Sequence, residues 1–326
     1  MTNHRAALLY VGAALLIVLL LPFTALAWGP ATHLEISGRI LAGLHLVPEA
    51  VSALLSRFPL DFYYGSIAAD IVVAKKMAHY LHHCHRWVVG LEILEAAETD
   101  SQEAFAWGYL THLAADVVAH NYFVPMKTIL SFPSGGKNHT YWEVRFDSYA
   151  PDEVWSIPGQ ISSGLSKDND ELLKKVISRQ FFSFRTNKTL FSGMVLLGRS
   201  KSWQSLVKKS RGEELLADRV EMYKGLSVNA ALSFLCQREE GWAFRADPTG
   251  EESLASSSII ANKLSKALKQ GQLTKAGVKK IIDKYTPHLE ASIYSKANAD
   301  RLVNTAAEII AAEKIKHRST TRKVKS

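Results

Sequence analysis

Between Ala104 and Tyr122 the chain is almost continuously apolar, yet His112, Asp116 and His120 interrupt it at four-residue steps. At 3.6 residues per turn each step rotates by about 40°, so the three side chains share an arc of about 80° on one helix face. Leu113, Ala114, Ala115, Val117, Val118 and Ala119 surround them, so this stripe is predicted to be buried. There it must be hydrogen-bonded or hold a metal. Such a helix needs other apolar surfaces wrapped around it, and the sequence supplies them as helices. Segments 47–58, 88–97, 101–122, 168–182, 213–235 and 264–285 place apolar residues three and four apart, and no period-two alternation persists. An all-α fold follows.

The chain can afford a large core, since 47% of its 326 residues are hydrophobic, and this excludes intrinsic disorder and fibrous repeats. Its two cysteines, Cys84 and Cys236, allow at most one bridge and no disulfide framework. Loops are expected at Pro133–Gly136, at 148–159 and at Asp247–Gly250, where a serine cluster follows. The last of these is taken as the boundary between a body over 28–246 and a helical C-terminal segment over 251–311, followed by a basic tail over 312–326.

The first 27 residues read as a secretory signal peptide. Arg5 precedes an apolar run from Ala6 to Leu21, Pro22 breaks it, and Ala25-Leu26-Ala27 closes it with small residues at the cleavage positions. Secretion or a periplasmic location is expected, and an uncleaved N-terminal membrane anchor is the alternative. Cleavage would give Trp28 a free α-amine, able to deprotonate on binding a metal, with its own carbonyl oxygen placed to close a chelate.

The net charge of +8 suggests a nucleic-acid partner only until its distribution is considered. Six cations lie in the last thirteen residues with no acid among them, and one more, Arg5, lies in the signal peptide. The body between carries 32 basic against 31 acidic residues, which argues against a basic groove. The tail is expected to be a solvated, disordered end, with contact to anionic lipid or polymer as the sharper reading.

Nine of the twelve histidines fall between His33 and His139, which locates the chemistry. His139 and Glu143 repeat the four-residue step on a second helix, and imidazole with carboxylate suits zinc. Asp70 closes a run of small and apolar residues and points to a partner inside the fold. His79, His82, His83 and His85 crowd around Cys84, and spacing alone does not say which of them bind.

Taken together, Trp28, His33, Asp70, the His112-x-x-x-Asp116 helix and His139-x-x-x-Glu143 resemble the secreted zinc-dependent phospholipase C family, which is related to the P1-type nucleases. The resemblance implies a multi-helix bundle around about three zinc ions. It further implies metal ligation by the amine and carbonyl of Trp28, by His33, by Asp70 next to the attacking water, by His112, by a bridging Asp116, by His120, and by His139 with Glu143. The ligand expected to follow Asp70 is His82, His83 or His85, with His83 the first choice and His85 the second. Two features depart from the family pattern: four residues rather than six separate Asp116 from His120, and Ile71 stands where an aromatic residue can help hold a choline head group.

The function implied is phosphodiester hydrolysis at a phospholipid head group, with Asp70 as the catalytic carboxylate and a membrane surface as the source of substrate. A P1-like nuclease or nucleotidase, in which nucleic acid is the substrate, and a non-catalytic secreted zinc protein are the alternatives. An assay on a choline phosphodiester, phosphatidylethanolamine vesicles and single-stranded DNA separates these classes.

Overall fold

The structure is a computed structural model that describes residues 28–71, 84–131, 139–161, 166–177, 183–209, 215–292 and 299–325. Residues 1–27, expected from the sequence to be a signal peptide, lie outside the described residues, as do His79, His82, His83 and the side chain of His139. Every regular element among the described residues is helical: α1 (Pro30–Ala42), α2 (Glu49–Arg57), α3 (Pro59–Ala68), α4 (Trp87–Glu95), α5 (Asp100–Val118), α6 (Val124–Ser131), α7 (His139–Asp147), α8 (Ile157–Ile161), α9 (Lys167–Val176), α10 (Phe184–Arg199), α11 (Lys201–Lys209), α12 (Ala217–Gln237), α13 (Glu251–Lys269), α14 (Lys275–Ser292) and α15 (Ala299–Lys325).

Helix α5 is the axis of the molecule. Every residue from Ala104 to Val118 is buried, as expected for a helix that is apolar on all sides. It starts at Thr99, whose side chain accepts from the Gln102 amide, while Gln102 reaches back to the Glu98 amide at 2.8 Å. Helices α3, α4 and α12 pack against it. A second core gathers Met126 and Ile129 of α6 with Ile260 and Leu264 of α13, Ile281 and Tyr285 of α14, and Leu302 and Ile310 of α15.

Three expectations from the sequence are corrected. The stretch 264–285 is not one helix, because α13 ends at Lys269 and Gly271 takes the left-handed conformation at φ +65°. The Gly271 amide bonds the Leu268 carbonyl and the Gln272 amide bonds that of Ala267, the pairing of a glycine-terminated helix end. The stretch 148–159, expected as loop, contains a 3-10 turn over Asp152–Ser156 and the start of α8. The basic tail is no disordered end: α15 runs through Lys325, in a segment that has neither Pro nor Gly. The bridge that the sequence leaves open is not made: Cys84 and Cys236 form no disulfide with each other, and Cys236 Sγ lies 3.2 Å from the Leu46 carbonyl oxygen.

Candidate metal centre

Two glycines bring the ligand-bearing segments together. A Cβ on Gly65 of α3 would stand 1.9 Å from the Phe105 carbonyl oxygen, and one on Gly108 of α5 would stand 2.1 Å from that of Phe62. Only glycine lets the two backbones approach this closely. The turn that ends α3 carries Asp70, and one turn beyond Gly108 comes His112.

Five of the side chains singled out in the sequence meet there. They are His33 of α1, Asp70 of the 3-10 turn Ala69–Ile71, His85 just before α4, and His112 and Asp116 of α5, each at most 2% exposed. His112 Nδ1 lies 2.9 Å from the Ser66 carbonyl oxygen, so it carries the proton and leaves the lone pair on Nε2. That Nε2 is 3.1 Å from His85 Nε2 and 3.2 Å from Asp116 Oδ2, and the same oxygen is 3.4 Å from His85 Nε2. His33 Nε2 lies 3.1 Å from Asp116 Oδ1, and its ring stacks on His112 with centroids 3.8 Å apart. His85 Nε2 is also 3.2 Å from Asp70 Oδ1. Tyr109 orders the approach to His85 by donating its hydroxyl to the Cys84 carbonyl.

Burial opposes a charge on Asp116, but the His112 and His33 imidazoles hold its carboxyl well below the usual carboxylate range. Burial, and then the neighbouring His112, push His33 down towards the neutral imidazole that ligates metals.

This donor set fits a metal ion. No hydrogen bond from the described residues reaches either oxygen of Asp116 or the Nε2 of His33, although all three atoms are buried. Lone pairs that converge in a dry interior need a cation between them. The edges of the His85, His112 and Asp116 triangle, 3.1, 3.2 and 3.4 Å, match the separation of about 3.3 Å between ligands placed about 2.0 Å from a tetrahedral zinc. A second group, His33, Asp70 and His112, also has its donor atoms within 4.8 Å of one another.

His120 lies one step further along, in a π-helical turn over Ala119–Phe123. Its Nδ1 is 2.6 Å from the Pro248 carbonyl oxygen, and its Nε2 is buried with no hydrogen-bond partner among the described residues. Gly250, at φ +58°, closes over it, since a Cβ there would stand 2.5 Å from His120 Cβ. Glu143 of α7 is buried as well. Among the described residues neither His120 nor Glu143 joins a group of three donors within 4.8 Å. The Trp28 indole is fully buried and donates to the Ala115 carbonyl and the Ser227 hydroxyl, both at 3.1 Å.

The sequence reading passed over Asp147. Its carboxylate accepts from the Ala31 amide at 3.2 Å and from the Thr32 amide and hydroxyl, both at 2.7 Å. It thus caps the start of α1 from another helix, which Gly29 cannot do for itself. A Cβ on Gly29 would collide with that carboxylate, 2.4 Å from Oδ2. The signal was available, because Asp147 continues the four-residue step of His139 and Glu143.

The family model described as zinc dependent phospholipase C matches residues 32–187. No curated protein and no solved structure matches the chain. That stretch, just under half of the chain, contains every residue of the five-membered cluster and is similar to the zinc-dependent phospholipase C family.

Proposed function

We propose that the protein is a zinc-dependent phosphodiester hydrolase of the phospholipase C type, which separates a phospholipid head group from its diacylglycerol. The observation that carries this reading is the convergence of His33, Asp70, His85, His112 and Asp116 in the core of the family-matched stretch. Zinc, when bound, supplies Lewis acidity that draws charge off phosphoryl oxygens and acidifies water.

The chain's own residues divide the remaining work. The Ser66 carbonyl fixes the tautomer of His112, as outer-sphere partners of metal-bound histidines do. Asp116, facing His33 through one oxygen and His85 and His112 through the other, is placed to serve two neighbouring ions. Asp70 sits on a turn at the edge of the cluster and is assigned the proton of the attacking water. About three zinc ions are proposed, with Trp28, His120, His139, Glu143 and, alongside His85, His83 supplying the ligands beyond the cluster. Secretion or periplasmic export after cleavage at Ala27 belongs to the same reading. Among the described residues no helix is long and apolar enough to cross a membrane.

The test assays protein beginning at Trp28 on a choline phosphodiester, phosphatidylethanolamine vesicles and single-stranded DNA in parallel, with zinc determined on the same sample. Release of a phosphorylated head group that chelation abolishes supports the proposal. Hydrolysis of DNA alone would replace it with a nuclease, and zinc without turnover would make the site structural.

A further inference from the structure

The near-neutral total charge of the body hides an internal separation. From Leu172 to Gly212 the sequence has ten lysines and arginines and no acidic residue. The centre of this stretch folds as a hairpin of α10 and α11, joined by Ser200 alone. Asn187, Phe191 and Val195 anchor α10 in the protein. On its other side Arg185, Thr189, Ser192, Leu196 and Arg199 are all exposed and share an arc of about 80°. Helix α11 adds exposed Leu206 and Lys208.

Leu196 and Leu206 are 63% and 64% exposed, among the most exposed large hydrophobic side chains of the described residues, and they sit among these cations. Lys188 is paired with Asp170, and Lys201 with Asp152. Arg185 and Arg199 have no carboxylate partner among the described residues. The hairpin also flanks the metal centre: α10 packs on the Ala69–Ile71 turn that carries Asp70, and α11 packs on α7, which carries Glu143.

We infer that the α10–α11 hairpin is a docking surface for an anionic phospholipid bilayer, with its arginines and lysines at the phosphates and its two leucines in the interface. This deepens the phospholipase reading by assigning the surface through which the site meets its substrate. Cations beside exposed aliphatic side chains fit the lipid boundary, where charge and apolar area act together. A nucleic-acid strand would need exposed rings for stacking, but Phe191 is buried, and Phe184 and Trp203 are half-buried.

The experiment is co-sedimentation of the protein from Trp28 onwards, zinc-loaded and chelated, with vesicles of phosphatidylcholine alone or mixed with phosphatidylglycerol. Both forms are expected to bind the mixed vesicles, to bind phosphatidylcholine at least ten-fold less, and to be released by high salt. Arg185→Glu/Arg199→Glu/Lys208→Glu should lose at least a hundred-fold, since each surface cation contributes about five-fold. The milder Arg185→Gln/Arg199→Gln should lose about 25-fold and Leu196→Ser/Leu206→Ser several-fold, both with unchanged zinc content and circular dichroism. Lys314→Glu/Lys316→Glu, on α15, should bind like the parent.

Hairpin variants that sediment like the parent, equal binding to both vesicle types, or loss confined to the α15 variant would each overturn the inference. So would single-stranded DNA that binds more tightly than the mixed vesicles and is lost in the same variants. Because sedimentation needs no turnover, its failure leaves the hydrolase reading standing, and failed hydrolysis leaves the docking surface standing.

Discussion

The Nδ1 of His112 and the carbonyl oxygen of Ser66 are 2.9 Å apart, so a backbone group near the end of α3 chooses which nitrogen of the α5 histidine faces Asp116. The same contact ties α3, whose following turn carries Asp70, to the helix that carries the other carboxylate. Metal binding and helix packing are therefore one problem in this molecule. His112→Ala is expected to lower zinc affinity by more than the roughly 10–100-fold that loss of an outer-sphere partner costs, and to remove hydrolysis with it. Asp116→Asn should be at least as severe, because the neutral amide can neither compensate two ions nor replace a carboxylate facing three imidazoles. Zinc analysis and turnover on the same preparations decide this, and full metal content in Asp116→Asn would remove the bridging assignment.

The glycine contact beneath the site gives a stability prediction with an internal control. Gly108→Ala places a methyl group 2.1 Å from the Phe62 carbonyl oxygen, where neither backbone can yield cheaply. The expected cost is about 2–4 kcal/mol, accompanied by weakened zinc binding because Asp70 and His112 are moved apart. Gly193→Ala, within α10 and facing open space, should instead stabilise by up to about 1 kcal/mol. Denaturant unfolding of both variants checks the pair. Two substitutions of the same size should then move the midpoint in opposite directions.

How much of this was legible in the sequence depends on the range of each signal. The His112, Asp116 and His120 stripe was readable because helical periodicity is local and its apolar surroundings forced burial. Its joining to His33 and His85 rests on glycine contacts across the fold that leave no periodic trace. Asp147 was missed because it looks like an ordinary helix-terminal acid until Ala31 and Thr32, more than a hundred positions away, are placed against it. The break at Gly271 was missed because apolar spacing continues on both sides of a connection only five residues long, 270–274. The hairpin's charge was lost in a sum over the whole body, where acids elsewhere cancel it.

Asp147 also makes stability depend on pH. Burial pushes its carboxyl up to about 6; the hydrogen bonds from Thr32 and Ala31 oppose this, and the charge of Asp70 adds to it. The folded form therefore holds the proton more tightly than the unfolded chain does. Its contribution is fully present below about pH 4 and is lost as pH rises through about 6. The metal-free protein should lose on the order of 2–3 kcal/mol over that window, and Asp147→Asn should not show this loss. Zinc beside Asp70 would offset the negative charge there and shrink the effect. Unfolding midpoints at pH 4 and pH 7, with and without zinc, test both statements. A parent and an Asp147→Asn variant with the same pH slope would show that this carboxylate is not the group responsible.

Cleavage after Ala27 would make Trp28 the first residue of the mature chain. The Trp28 indole is fixed in the core, with its nitrogen shared between Ala115 and Ser227 and its ring against Phe146 at 4.1 Å and Phe123 at 4.9 Å. Three residues further on, Asp147 clamps Ala31 and Thr32, so the backbone between these anchors has little freedom to rearrange. In the uncleaved chain the Trp28 nitrogen is a peptide amide, which is not basic and cannot coordinate; cleavage after Ala27 would turn it into an amine with a pKa near 8. Export would then complete the metal site only on the far side of the membrane, which protects the cell's own lipids. A single residue left ahead of Trp28 should lower zinc content by about one ion and reduce turnover, while the fold, held by the indole and Asp147, survives. Two preparations at equal concentration, one starting at Trp28 and one with an added methionine, are compared for zinc, circular dichroism and phosphodiester hydrolysis. Equal metal and equal rates would show that the amine is not a ligand and that Trp28 serves only as an anchor for α1.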